Sequence, residues 1–128
     1  MDLSSKGELK SMKIYTLEFY GKKFNIGLAK GKYVNNGKLA VLMYETTPKG
    51  KIKDIFGDLT VNLGEDSVMA NETNSQFIDT NNLGNEITQW LVENNIAKPT
   101  FFTGFSGYCA YPLFKFNDEA LNQMGSIE

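Results

Sequence analysis

The side chains that could carry out covalent chemistry are few in this chain of 128 residues. Its single cysteine, Cys109, is a potential nucleophile, but the chain has no histidine to act as a base, and the nearest lysine in sequence is Lys115. A reactive thiol needs a neighbouring cation or a helix N-terminus to lower its pKa. The sequence therefore predicts that Cys109 is a small, buried strand residue. The alternative is an enzyme that uses this thiol.

Catalysis by other groups has little support in the sequence. The segment Gly104–Gly107 looks like a nucleophile elbow, but its second glycine is one position early and there is no histidine base. Asp54, Asp58 and Asp79 could form a carboxylate cluster for magnesium, although nothing in their spacing favours one. The lack of histidine and of a second cysteine excludes imidazole and multi-thiolate metal sites. We therefore expect no cofactor, no metal and no catalytic residue.

Two segments combine polar groups with aromatic rings in a way that favours ligand or partner binding. One segment precedes the start of a predicted helix and contains Asp79, Asn81 and Asn82. The other lies at the start of a predicted strand and contains Ser106, Tyr108 and Cys109. If these two starts lie side by side, the helix N-terminus would favour an anionic ligand between them. The alternative is that the acid and the asparagines cap the helix and bond to loop amides. The candidate pocket residues are Asp79, Asn81, Asn82, Ser106, Tyr108 and Cys109.

Charge is distributed unevenly along the chain. Residues 1–53 contain eleven lysines and four acids, a net charge of +7, whereas residues 54–128 contain two lysines and eleven acids, a net charge of −9. Lysines and aromatic rings alternate in the first half, and such a surface could bind single-stranded nucleic acid. The alternative is that the halves pack on each other and the lysines protect strand edges. The candidate nucleic-acid face comprises Lys22, Lys23, Lys30, Lys32 and Tyr33.

The elements that must position these residues begin with four strands. Met12–Phe19 and Phe24–Leu28 alternate between apolar and polar residues, Lys38–Thr46 is apolar on both faces, and Ile55–Leu63 alternates again. Short segments rich in glycine and asparagine separate them. This pattern predicts an antiparallel meander, with Lys38–Thr46 as a central strand covered on both sides.

The turns and the last strand allow finer predictions. The Gly-X pair in Tyr20–Lys23 favours a type II′ turn, and Asn35–Gly37 favours a type I′ turn. Pro48–Gly50 is a third turn signal. In the fourth strand, Leu59 should point into the core and Thr60 towards solvent.

A helix is predicted in the second half of the chain. Its apolar positions are Leu83, Ile87, Trp90 and Leu91, which lie on one helical face. Asn81 or Asn82 should cap its start. Asn94 and Asn95 can supply the left-handed exit.

The rest of the second half is predicted as loops, short strands and a final helix. Gly64–Ser75 and Pro99–Gly107 are predicted as loops, and Phe77–Ile78 as a short strand or an anchor. Tyr108–Phe116 is predicted as a strand in which Pro112 marks an edge or a bulge. Asp118–Met124 is predicted as a short helix.

These elements predict an α+β fold with one antiparallel meander sheet of about four to six strands and one main helix packed on it. Residues 1–11 are predicted as a flexible tail and residues 12–128 as a single domain. The polar start of the chain lacks the apolar region of a signal peptide, and the lone thiol fits a reducing compartment. We therefore expect a cytoplasmic protein without a membrane partner.

Four segments of the chain resemble a known bacterial family. They are FYGKKF, the KGKY and NNGKLAV stretch, FIDTNN and TGFSGYCAYPLFKF, and the resemblance extends from about Met12 to Phe116. The family is a domain of unknown function found in low-GC Gram-positive bacteria, often on conjugative transposons, plasmids or prophages. The resemblance implies a cytoplasmic accessory protein of a mobile element. The family has no assigned catalytic residues, so none can be transferred to this chain.

Taken together, these features favour a non-enzymatic binding or accessory protein that acts through a protein partner. The residue types needed for catalysis at neutral pH are mostly missing, which argues against an enzyme. Three alternatives stay open: single-stranded nucleic-acid binding through the lysine and aromatic face, inhibition of a host defence system, and an enzyme using Cys109 or carboxylates.

Overall fold

The first half of the chain forms the predicted meander. A computed structural model describes residues 12–63 and 74–127. The predicted tail and most of the loop predicted at Gly64–Ser75 lie outside these residues. The first sheet has the order β1-β2-β3-β4, all antiparallel. Its strands are β1 (Ile14–Phe19), β2 (Lys22–Lys32), β3 (Leu39–Thr46) and β4 (Ile52–Asp58).

Most strands of the second half form a second sheet. Its order is β5-β6-β8-β7, also antiparallel. A short β9 pairs in parallel with β2 of the first sheet, beyond the start of β1. These strands are β5 (Thr60–Val61), β6 (Ser75–Ile78), β7 (Ala97–Ser106), β8 (Cys109–Phe116) and β9 (Gly125–Ser126).

The chain passes from one sheet to the other at Leu59, so the continuous strand predicted at Ile55–Leu63 is wrong. Leu59 is fully buried, and its N–H donates to the carbonyl of Val41 at 3.0 Å. Thr60, predicted to face solvent, is also buried because its hydroxyl accepts a bond from the N–H of Val41. Fully buried Gln76 links the sheets again by donating to the carbonyl of Leu39 at 3.0 Å.

The predicted main helix forms as two short helices, and the short helix predicted at Asp118–Met124 is confirmed as a third. They are α1 (Thr80–Leu83), α2 (Glu86–Glu93) and α3 (Asp118–Asn122). The predicted helix divides at Gly84, where a φ of 81° interrupts the turn, and its first cap is Asp79 rather than an asparagine. The predicted apolar face is confirmed, since Leu83, Ile87, Trp90 and Leu91 are all buried. Asn95 has the predicted left-handed exit, with a φ of 56°.

The core lies between one face of each sheet and the helices. The meander contributes residues such as Ile26 and Met43, the second sheet contributes Ile78 and Phe116, and α2 contributes Leu91. The α+β class with an antiparallel meander is therefore confirmed.

Two of the predicted turn types are wrong. Tyr20 and Gly21 both have positive φ, which defines a type I′ turn in place of type II′. In Asn35–Gly37 only Gly37 has positive φ, and the N–H of Gly37 donates to the carbonyl of Tyr33 at 2.8 Å. This wider loop forms because its asparagine side chains bond across to Asn62, which holds the backbone away from a tight turn.

The loop predicted at Pro99–Gly107 is also wrong, because most of that segment belongs to β7. Its proline and glycines look like loop residues, yet its backbone pairs with β8 from Ala97 to Pro99 and again from Thr103 to Ser106. A two-residue turn at Gly107 and Tyr108 closes the hairpin. Gly107 has a φ of 61° and Tyr108 has no positive φ, which is the type II′ geometry expected of a Gly-X pair.

Candidate functional site

Asp79, the central residue of the predicted pocket, is used as a helix cap. Its side chain is buried, and it accepts bonds from the backbone N–H of Asn82 at 3.2 Å and the Asn82 side-chain amide at 2.8 Å. Its own N–H donates to the carbonyl of Leu59 at 2.9 Å. Asn81 is exposed on α1. The structure therefore brings Asp79 and Asn82 together in the capping role that was the alternative interpretation.

Two tyrosine hydroxyls lie within the electrostatic reach of Asp79. Burial raises the pKa of Tyr111, and the interaction with the neighbouring Cys109 and the charge of Asp79 raise it further. Burial also raises the pKa of Tyr33, whose hydroxyl bonds to that of Thr60 at 2.8 Å. Both tyrosines therefore hold their protons more tightly than free tyrosine.

Cys109 lies in apolar surroundings. It is half-buried on β8 and packs against a small apolar cluster of Phe77, Tyr111 and Leu113. Within residues 12–63 and 74–127, no group of three or more acids and cysteines is placed to hold a metal ion.

Ser106 and Tyr108 lie instead at the end of the β7–β8 hairpin, where both are exposed. Three phenylalanines share this hairpin and this exposure. Phe101 is 93% exposed, Phe105 71% and Phe102 50%. Phe101, Phe102, Phe105 and Tyr108 are hereafter called the aromatic surface. They make up half of the eight large hydrophobic residues that are exposed in the described part of the chain.

A bulge in β7 presents two of these rings. Pro99 pairs with Phe114 and Thr103 pairs with Pro112, so three residues of β7 lie opposite the single residue Leu113. The Thr100 hydroxyl donates to the carbonyl of Leu113 at 2.8 Å and accepts from the N–H of Phe102 at 3.3 Å. The bulge thus lies in β7 next to Pro112, whereas Pro112 itself pairs with Thr103 from β8, which lies between β6 and β7 and is not an edge strand.

Phe101, within this bulge, has a φ of 70°. Left-handed backbone is unfavourable for a bulky residue by about 1–2 kcal/mol. The hairpin therefore holds a strained backbone conformation at a ring that makes almost no contact with the rest of the chain. Such strain concentrates at functional sites.

The part of the hairpin near its turn is fixed by a close approach at Gly104. A Cβ atom added there would lie 2.5 Å from a Leu63 methyl carbon and 2.7 Å from the Phe77 ring. The backbone of β7 thus rests directly on the small apolar cluster, and only glycine permits this contact. The exposed rings consequently stand on a rigid support.

The predicted nucleic-acid face is divided between the two ends of a long strand. Lys22 and Lys23 begin β2, whereas Lys30 and Lys32 end it. At about 3.3 Å per residue, these pairs are roughly 26 Å apart. Tyr33 is half-buried, and its hydroxyl is bonded to Thr60.

A groove of about 790 Å³ lies beside the first sheet, between β1 and the two helices α1 and α2. Leu83, Ile87 and Trp90 form part of its apolar wall. None of the six candidate pocket residues lines it. Sequence reasoning missed Phe101, Phe102 and Phe105, although the acid-free run of aromatic residues in 97–114 could have indicated them. No sequence signal indicates the groove, because it depends on how α2 packs beside β1.

Comparison with protein families identifies the chain's relatives. The model of a family described as a domain of unknown function (DUF4313) matches residues 27–126. The match covers the second sheet, the aromatic surface and the first sheet except β1 and the start of β2. The chain belongs to the DUF4313 family. No curated protein and no solved structure matches it. Among the described residues of this DUF4313 protein, no helix is long and apolar enough to cross a membrane.

Proposed function

We propose that this DUF4313 protein is a non-enzymatic binding protein that docks on a partner protein through its aromatic surface. The observation that carries the proposal is exposure. Phe101, Phe105 and Tyr108 keep more than two-thirds of their surface in water. Burying one such ring contributes about 1.5–3 kcal/mol. Phenylalanine and tyrosine are also enriched at the centres of protein interfaces.

The support beneath the rings strengthens this proposal. The Gly104 contact fixes β7 near the turn and the Thr100 hydroxyl fixes the bulge. A partner would therefore meet a backbone that already holds the rings at its surface. Little conformational entropy is lost when a rigid surface binds, so more of the interaction free energy becomes affinity.

The charges of the hairpin favour a protein partner over nucleic acid. Residues 97–116 contain no acid, and their two lysines, Lys98 and Lys115, pair with each other at the base, away from Tyr108. Proteins that bind single strands combine stacking rings with a basic groove that follows the phosphates. The aromatic surface has the rings without that groove, and an apolar pocket on a protein suits it better.

The setting we propose is the one implied by the resemblance: an accessory protein of a bacterial mobile element, acting in the cytoplasm. Inhibition of a host defence system is one form that binding to a host protein could take. Both proposals rest on the family resemblance.

Capture of partners from the source organism tests this function. The bait proteins are the wild type, a tip variant (Phe105→Ser with Tyr108→Ser) and a control variant (Val34→Ser with Ile55→Ser). The control also removes two exposed hydrophobic residues, but from the loop between β2 and β3 and from β4. We expect the tip variant to lose its partner by about tenfold or more, because central aromatic residues dominate binding energy, and the control to retain it.

Three results would contradict the proposal. The first is equal capture by the wild type and the tip variant. The second is binding of a labelled oligothymidine that weakens steeply with salt and is lost in the tip variant, which would indicate nucleic acid instead. The third is a dimer in light scattering that dissociates in the tip variant. This result would mean that a second copy of the chain covers the aromatic surface.

A further inference from the structure

The first strand of the meander has an open edge. β1 is the end strand of its sheet, and no described strand pairs with its outer side. On its inner side β1 pairs with β2, and a two-residue turn joins the closing pair, Phe19 and Lys22. In such a hairpin the closing pair exchanges hydrogen bonds. Counting back along β1 from Phe19, the first and third residues direct their backbone N–H and C=O groups away from β2. Thr16 and Glu18 therefore direct their backbone N–H and C=O groups outward.

One contact supports this orientation. The indole N–H of Trp90, on α2, donates to the carbonyl of Thr16 at 2.8 Å. The N–H of Thr16 and both backbone groups of Glu18 have no partner among the described residues. The open part of the edge thus runs from Thr16 towards the turn at Tyr20, where the groove of about 790 Å³ lies beside it.

The groove combines this edge with acidic side chains. Trp90 and Ile87 line one side, but they are 7% and 3% exposed and offer little apolar surface. The charged residues that line it are Glu18, Glu86, Glu93 and Lys23, which give a net charge of −2. An extended segment lying here would meet backbone donors and acceptors on one side and an acidic rim on the other.

We infer that this groove binds an extended, lysine- or arginine-bearing segment of another protein, which adds to the meander as a strand beside β1. Main-chain bonds to Thr16 and Glu18 would supply much of the affinity, as in other cases of strand addition. Charge complementarity with Glu18, Glu86 and Glu93 selects a basic segment. The short open edge limits the added strand to about four residues. This site is separate from the aromatic surface and does not depend on it.

A fluorescent octapeptide of alternating lysine and valine is the probe, and an octapeptide of alternating glutamate and valine is its charge control. Anisotropy should show binding of the basic peptide only. The variant Glu86→Lys with Glu93→Lys should weaken it by at least about tenfold. The matched control, Asp54→Lys with Glu119→Lys, changes the net charge equally but lies outside the groove, and it should bind within about twofold of the wild type.

Two N-methylated forms of the basic peptide test whether a strand is added. In one form the lysine amides are methylated and in the other the valine amides. Because only alternate residues of an added strand bond to β1, one form should bind and the other should not.

Four results would overturn the inference. They are absence of binding by the basic peptide at low salt, equal loss in both charge variants, equal binding of the two methylated forms, and a wild-type dimer whose dissociation is needed for peptide binding. The last result would mean that a second copy occupies the edge. Circular dichroism of each variant separates these results from loss of folding.

Discussion

At the scale of single residues, the polar groups beneath the hairpin form hydrogen bonds that join neighbouring elements of the fold. Asp79 caps α1 with both carboxylate oxygens, and the Thr60 hydroxyl accepts a bond from the N–H of Val41 and bonds to the hydroxyl of Tyr33. Cys109 packs against Tyr111 in an apolar cluster. Each group has a partner within the fold, so the cluster stabilises the junction between the sheets.

The buried tyrosines predict a loss of stability at alkaline pH. Burial raises the pKa of Tyr15, Tyr33 and Tyr111 above the ordinary value of 10.0. Above pH 10 the unfolded chain therefore binds fewer protons than the folded one, and the free energy of unfolding falls as pH rises, whereas below that pH this contribution is fully present.

The variant Tyr33→Phe checks this expectation. Urea unfolding of the variant should show a shallower fall in the free energy of unfolding above pH 10 than the wild type, because one of the shifted groups is gone. Parallel pH profiles for the two proteins would contradict the role given to Tyr33.

At the scale of elements, the β7–β8 hairpin depends on two local features, a glycine contact and a bulge. The meander could be predicted because alternation in β1, β2 and β4 and the apolar run in β3 report directly which faces are buried. The hairpin could not, because Pro99 and the glycines of β7 are typical of loops and only pairing with β8 makes them a strand. Alternation also continues unchanged through Leu59, so the change of sheet leaves no signal in the sequence.

The glycine contact predicts that Gly104→Ala is destabilising. The added methyl group would meet the buried Phe77 ring at 2.7 Å, and overpacking of this kind costs about 1–3 kcal/mol. Gly57→Ala on β4 is the control, since its Cβ has no atom within 4 Å and should leave stability almost unchanged. Chemical unfolding measures both. Equal stability of the two variants would show that β7 is not held against Phe77.

The bulge predicts a similar role for Thr100. Thr100→Val keeps the shape of the side chain but removes its bond to the Leu113 carbonyl, and it should lower the free energy of unfolding by about 1 kcal/mol. Hydrogen exchange should also become faster at Phe102, whose N–H loses its acceptor. Unchanged exchange at Phe102 would mean that the hydroxyl does not hold the bulge.

At the scale of the whole molecule, the fold places two different surfaces on two sheets. The second sheet carries the aromatic surface, which has rings and no acid, whereas the first sheet carries an open edge with an acidic rim. The candidate pocket residues could be proposed from sequence because polar and aromatic types cluster there. Their distribution over a helix cap, a small core and a hairpin end could not, since it depends on long-range pairing of β8 with β6 and β7.

Site-specific photo-crosslinking tests the central claim, docking through the aromatic surface, most directly. A photoreactive phenylalanine analogue replaces Phe105 in one protein and Ile55 on β4 in another, and both are irradiated in cells of the source organism. Phe105 and Ile55 are similarly exposed, at 71% and 64%. We expect a discrete crosslinked protein from position 105 and none from position 55. The same products from both positions, or none from position 105, would contradict docking through this surface.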